Sequence, residues 1–167
     1  MRSPVKWLDN EEYAVASIQE KALAWADHFA GKKVRETGIN RGFWVEKFLA
    51  SVGLGPGYAW CAAFSSYCIR QAGSSAGPGK GRAAVRNWAS WSKASARTHV
   101  VPKRGDLVYT LNANGTGHIE FVTGVFKDGT IGTIGGNTNM ANSREGDGVY
   151  KKRRTISDHM MFIRWWD

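Results

Sequence analysis

The sequence predicts an α+β domain, with helices first and an antiparallel sheet after them. Three observations carry this reading. Apolar residues recur at spacings of three and four through the first half of the chain. Short strand-like runs parted by turn signals fill the chain from Val101 onward, and strands do not alternate with helices as a doubly wound sheet requires. At 167 residues, one ordinary core and a single domain (1–167) are expected, with a helical extension at 1–34 and the core at 35–167.

Ala14, Ile18, Ala22, Trp25, Ala26 and Phe29 place one apolar stripe on a helix from Glu11 to Ala30, which Gly31 stops. A loop with Glu36, Asn40 and Arg41 follows. Phe43 to Val52 forms a second helix with Val45, Phe48 and Leu49 on one face. The loop Gly53 Leu54 Gly55 Pro56 Gly57 then gives way to a third helix from Cys61 to Gln71, ended by Gly73. Ser74 to Gly81 reads as an exposed loop, and Arg82 to Lys93 as a short helix carrying Trp88 and Trp91. Strands are expected at Asp106–Leu111, Gly117–Val125, Thr130–Ile134, Gly148–Arg153 and Met160–Trp165. Asn114 Gly115 and Asp128 Gly129 are hairpin turns, and Asn139 and Asn142 are turn residues.

Apolar (43%) and charged (22%) fractions are those of globular proteins and exclude disordered and fibrous classes. A net charge of +9 favours a polyanionic target, for which nucleic acid, an anionic lipid surface and a bacterial wall all qualify. Lys32, Lys33, Arg35, Lys80, Arg82, Arg86, Lys103, Arg104 and the run Lys151 Lys152 Arg153 Arg154 are not neutralised by neighbouring acids in sequence, so a positive face is expected. Met1 to Asn10 holds no apolar core of a signal peptide and no later segment approaches a membrane span. A soluble protein synthesised in the cytoplasm is expected. Cys61 and Cys68 lie roughly 10 Å apart if both are on one helix, beyond the reach of about 7 Å that a disulfide allows, so both are read as thiols.

Cys61 in Trp60 Cys61 Ala62 Ala63 Phe64 opens a helix, where unpaired N–H groups and the helix dipole favour a thiolate nucleophile. Cys68, mid-helix, reads as a small buried hydrophobe. His118 opens the strand Gly117 His118 Ile119 Glu120 Phe121 Val122, and alternation puts it on the face opposite Ile119 and Phe121. A cysteine on a helix start with a histidine on a later strand is the papain-type pairing of nucleophile and base. A third group must fix the imidazole. Asn137, following the next strand, is one candidate, and Glu120, two residues from His118 on the same strand face, is the other.

Trp60 Cys61 Ala62 Ala63 Phe64 with Arg70 Gln71 Ala72 Gly73, then Pro102 to Val108, then Gly117 His118 Ile119, then Thr133 Ile134 Gly135 Gly136 Asn137 Thr138 Asn139, resemble the CHAP family of cysteine peptidoglycan hydrolases, relatives of NlpC/P60 and papain. The resemblance covers about residues 35 to 165. It implies a papain-like fold with Cys61 as nucleophile, His118 as base and Asn137 as orienting group. Many members carry a Glu two residues before that Asn, where this chain has Gly135. Glu36, Asn40 and Arg41, in the loop such enzymes fold near the cleft, are carried over as substrate contacts, with Trp60, Trp88 and Trp91 as candidate cleft walls. No clustered Asp loop precedes Cys61 and no zinc-type spacing occurs, so no metal or cofactor is expected.

The implied activity is cleavage of a peptidoglycan amide bond, as an endopeptidase or an N-acetylmuramoyl-L-alanine amidase. Size, basicity and the missing signal sequence fit a phage endolysin acting as a monomer at the cell wall or in the periplasm of an anionic envelope. An interbacterial amidase effector of a secretion system fits the same observations. The competing classes are a catalytically silent wall-binding or virion structural module, motivated by Gly135, and a nucleic-acid binder, motivated by charge alone; specific nucleic-acid binding is not expected.

Overall fold

The computed structural model describes residues 9–138 and 146–167; Asn139 and Asn142 lie outside the described residues. The elements run α1 (Asn10–Val15), α2 (Ile18–Gly31), α3 (Phe43–Ser51), α4 (Cys61–Gln71), a 3-10 turn (Gly79–Gly81) and α5 (Val85–Ala94). The strands follow as β1 (Thr98–His99), β2 (Leu107–Leu111), β3 (Gly117–Val125), β4 (Thr130–Thr138), β5 (Gly148–Thr155) and β6 (Met161–Ile163). All strands pair antiparallel in the order β1-β6-β2-β3-β4-β5. The α+β class expected from the sequence is the observed one.

The predicted helix from Glu11 to Ala30 is two helices. Asp9 and Glu12 form a reciprocal capping box on α1, which ends at extended Ala16, and Ser17 starts α2. Ser17 and Glu20 have the spacing of a second capping box, yet Ser17 makes no side-chain cap and Glu20 instead accepts two hydrogen bonds from Arg104. Helix α2, within the span expected as a helical extension, packs into the core: Ala22, Leu23, Ala26 and Phe29 are buried in the main cluster with α3, α4 and the sheet.

The helices cover one face of the sheet. Leu107, Tyr109, Ile119, Phe121 and Ile134 point into the main core. Val108, Val122, Ile131 and Phe162 point the other way and form a second, thinner cluster under Ile156 and Met160 of the β5–β6 connection. Period-two alternation thus splits β3 between two faces, as expected, and leaves His118 and Glu120 on the face away from the helices.

Strand β4 runs on through Gly135, Gly136 and Asn137 to Thr138, past the predicted end at Ile134. Two glycines weaken a strand signal. Here both are required by close approach. A Cβ on Gly136 would lie 2.7 Å from Phe64 Cβ and Trp60 Cζ3, and one on Gly135 would lie 2.8 Å from Glu120 Oε1. The bare backbone at 136 lets the first turn of α4 sit directly on β4, and this brings Cys61 to the end of the sheet where His118 begins β3.

The basic run on β5 is paired, which corrects the expectation of a positive face there. Lys151 pairs with Asp27 of α2, Arg153 with Asp128, and Arg154 with Glu120, while Lys152 Nζ donates to Thr138 Oγ1 at 2.6 Å. Lys151 and Asp27 stand more than a hundred residues apart in sequence, so local charge could not reveal such pairs. Among the described residues no helix is long and apolar enough to cross a membrane.

Candidate active site

Cys61 is the first residue of α4 and is only 5% exposed. The loop before it is braced by one carboxylate: Glu36 Oε1 accepts from Trp60 Nε1 at 2.8 Å and Oε2 accepts from the Asn40 N–H at 3.0 Å. Asn40, in a left-handed backbone that Asn tolerates, also bonds Gly57 through both N–H and C=O groups. No side chain caps α4, so its first-turn N–H groups are available to a developing oxyanion.

His118 lines the same cleft as Cys61, near enough for the thiol to raise the proton affinity of its ring. Its Nε2 donates to Glu120 Oε1 at 2.8 Å, which leaves Nδ1 as the nitrogen that exchanges a proton with sulfur. Glu120 is almost fully buried and also accepts from Arg154, Nε to Oε2 at 2.7 Å and Nη2 to Oε1 at 2.9 Å. Burial would raise the carboxyl, but His118 and Arg154 hold it well below the usual carboxylate range. Burial likewise pushes the imidazole down, and its bonds to Cys61 and Glu120 overcome this and lift it to about 9. His118 therefore keeps its proton at neutral pH.

The carboxylate answers the question raised by Gly135. The Glu120 side chain lies over Gly135, in the space that a side chain at 135 would fill. The carboxylate bonded to the imidazole comes from the histidine's own strand and not from β4. Asn137 lines the same cleft with a left-handed backbone, φ 52°, while the bond to the imidazole comes from Glu120. Of the two candidates for the third group, Glu120 is the one that hydrogen-bonds the imidazole.

The cleft above the pair has a volume of about 410 Å³, with Thr110, Thr116, Asn137, Lys152 and Met160 among the residues around Cys61 and His118. Trp60 and Trp88 are not cleft walls. Both are completely buried, Trp60 tied to Glu36 and Trp88 donating to the Arg82 carbonyl at 3.0 Å. Trp91, half-buried, packs edge-on against Trp88. Glu36 and Asn40 brace the loop before the nucleophile, and Arg41 is exposed and paired with Glu46 at 3.5 Å; none of the three lines the cleft. Sequence reasoning missed Lys152 and Arg154 as cleft residues. Alternation along β5 puts both on one face, but only the order β3-β4-β5 aims that face at His118.

Cys68 is fully buried, and burial pushes its thiol well up, away from the thiolate that a nucleophile needs. Both cysteines are free. Among the described residues no group of three or more His, Cys, Asp and Glu is placed to hold a metal ion.

A helix-borne cysteine packed on an antiparallel sheet that carries the histidine defines a papain-like α+β domain. Residues 53–137, just over half of the chain and including Cys61, His118, Glu120 and Asn137, match the family model of the CHAP domain, and the chain belongs to that family. CHAP domains are generally hydrolases of the cell wall, with amidase or peptidase activity on peptidoglycan. No curated protein matches the chain.

Proposed function

We propose that this protein hydrolyses an amide bond of bacterial peptidoglycan by a thiol mechanism, with Cys61 as nucleophile, His118 as acid and base, and Glu120 orienting the imidazole. The observation that carries the reading is the gathering of Cys61 and His118 around one cleft, with the Glu120 carboxylate 2.8 Å from His118 Nε2. Sulfur attacks the carbonyl carbon and the oxyanion is received by N–H groups at the start of α4. The C–N bond breaks as His118 Nδ1 gives its proton to the departing amine. Water then loses a proton to Nδ1 and its oxygen attacks the thioester carbon; the C–S bond breaks, releasing a carboxylic acid and returning the sulfur as a thiolate beside the protonated His118.

The endopeptidase and muramoyl–alanine amidase reactions share this chemistry. A small basic wall hydrolase fits release by a phage at the end of infection, and we place the protein there, acting at the wall or in the periplasm as a monomer. An effector delivered between bacteria would use the same site.

Zymography on purified sacculi tests the reading. Cys61→Ala should clear nothing while keeping its fold, and Cys68→Ala should keep most activity. A clearing zone from folded Cys61→Ala would end the thiol mechanism.

A further inference from the structure

The charged chain does not stop at Glu120. On the face away from the helices, His118 and Glu120 of β3, Gly135 of β4 and Arg154 of β5 lie across three adjacent strands. We propose that Arg154 is a positioning residue for the reaction: its guanidinium reaches from β5, two strands away, to grip both oxygens of Glu120, and so fixes the carboxylate that orients His118. The inference rests on the hydrolase reading of the same site and extends it by one residue that the Cys/His pair does not require.

The geometry explains why such a clamp is needed. A Glu on the histidine's own strand reaches the imidazole through a flexible side chain, whereas two N–H bonds from a planar fork leave its carboxylate one orientation. Gly135 provides the opening. Any side chain there would collide with the Glu120 Cγ and carboxylate. Burial also makes an isolated carboxylate costly, and Arg154 supplies the second counter-ion that keeps it ionised beside the imidazole. Among the described residues, the charged or titratable groups facing Glu120 are His118 on β3, Arg154 and Lys152 on β5, and Cys61 on α4; β4 contributes Gly135 and the β5–β6 connection contributes Met160.

Two variants test it, Arg154→Met and Arg154→Lys, with folding checked by thermal denaturation. On a soluble muropeptide, Arg154→Met should lose at least about tenfold in kcat with KM within about twofold, since general acid–base catalysis of this kind contributes about 10²–10⁴-fold. With one cation fewer, Glu120 takes up a proton at higher pH, so the acid limb of kcat should move upward. Nitrogen–proton NMR without substrate should show the hydrogen-bonded Nε2–H of His118 in the wild type and its loss to exchange in Arg154→Met. Arg154→Lys should recover part of kcat, because it restores the charge but not the fork.

A folded Arg154→Met with wild-type kcat, acid limb and Nε2–H signal would overturn the proposal. A loss confined to KM would also overturn it, because Arg154 would then grip substrate directly. If Arg154→Met does not fold, Arg154→Lys decides alone, and an unchanged kcat and Nε2–H signal in it refutes the clamp. The NMR signal needs no turnover, so failure of the wild type to cleave muropeptides would refute the hydrolase reading separately.

Discussion

His118 is held between a sulfur and a carboxylate, and its proton affinity is the outcome of opposed effects. Burial works against the charged ring, while Cys61 and Glu120 favour it, leaving the imidazole at about 9 against an ordinary value of 6.5. Because the folded value is the higher one, the stability it contributes is fully present below about 6.5 and disappears as pH rises through about 9. Urea denaturation should therefore show stability falling across that interval, and a His118→Gln variant should lack this part of the dependence. Turnover needs the same proton for the leaving amine, so kcat should decline on the alkaline side near 9. Glu120→Gln should bring the imidazole down, with a kcat loss on the order of 10²-fold or more from lost orientation and charge. Asn137→Ala should cost less. A larger loss from Asn137→Ala, with both variants folded, would return the orienting role to β4.

Glycines decide where the elements of the site meet, and they also mark the limit of what the sequence shows. Gly136→Ala places a methyl group 2.7 Å from Trp60 and Phe64, an overpacking worth about 1–3 kcal/mol, and should lift the start of α4 away from β4. Thermal denaturation should register the loss, and activity should fall further than stability because Cys61 moves from His118. Gly135→Ala should be strongly destabilising with Glu120 present and mild in Glu120→Ala; equal costs in the two backgrounds would show that the carboxylate does not fill that space. Helix α4 and strand β3 could be read directly from sequence, with the bounds Cys61–Gln71 and Gly117–Val125, because loop glycines, a turn and strict periodicities frame them. The Cys/His pairing followed from those two elements. Glu120 stood only as an alternative and Arg154 did not emerge, because sequence cannot distinguish a solvent-facing carboxylate from one whose counter-ion arrives from two strands away. Trp60 and Trp88 misled for a related reason: an indole that suits a sugar-binding wall equally suits a core in which its N–H finds a carboxylate or carbonyl.

The whole molecule carries a net charge of +9, but that charge is distributed differently from its sequence pattern. Arg104, Lys151, Arg153 and Arg154 are ion-paired within the fold, whereas Lys32, Lys33, Lys80, Arg86 and Lys103 are exposed. Attraction of those exposed groups to an anionic envelope should fade as the Debye length drops from about 10 Å at 0.1 M salt to about 3 Å at 1 M. Lysis of whole envelopes should then fall steeply with salt while cleavage of a soluble muropeptide changes little. Equal salt dependence on the two substrates would remove recruitment from the account. The central claim, that Cys61 opens a peptidoglycan amide, is met most directly by mass spectrometry of sacculi digested with wild type and with Cys61→Ala. The account predicts one class of new product from the wild type, each cleavage adding the mass of a single water and freeing one amine and one carboxylate, and no such product from the variant. Identical products from both proteins, or cleavage at a glycosidic bond, would contradict it.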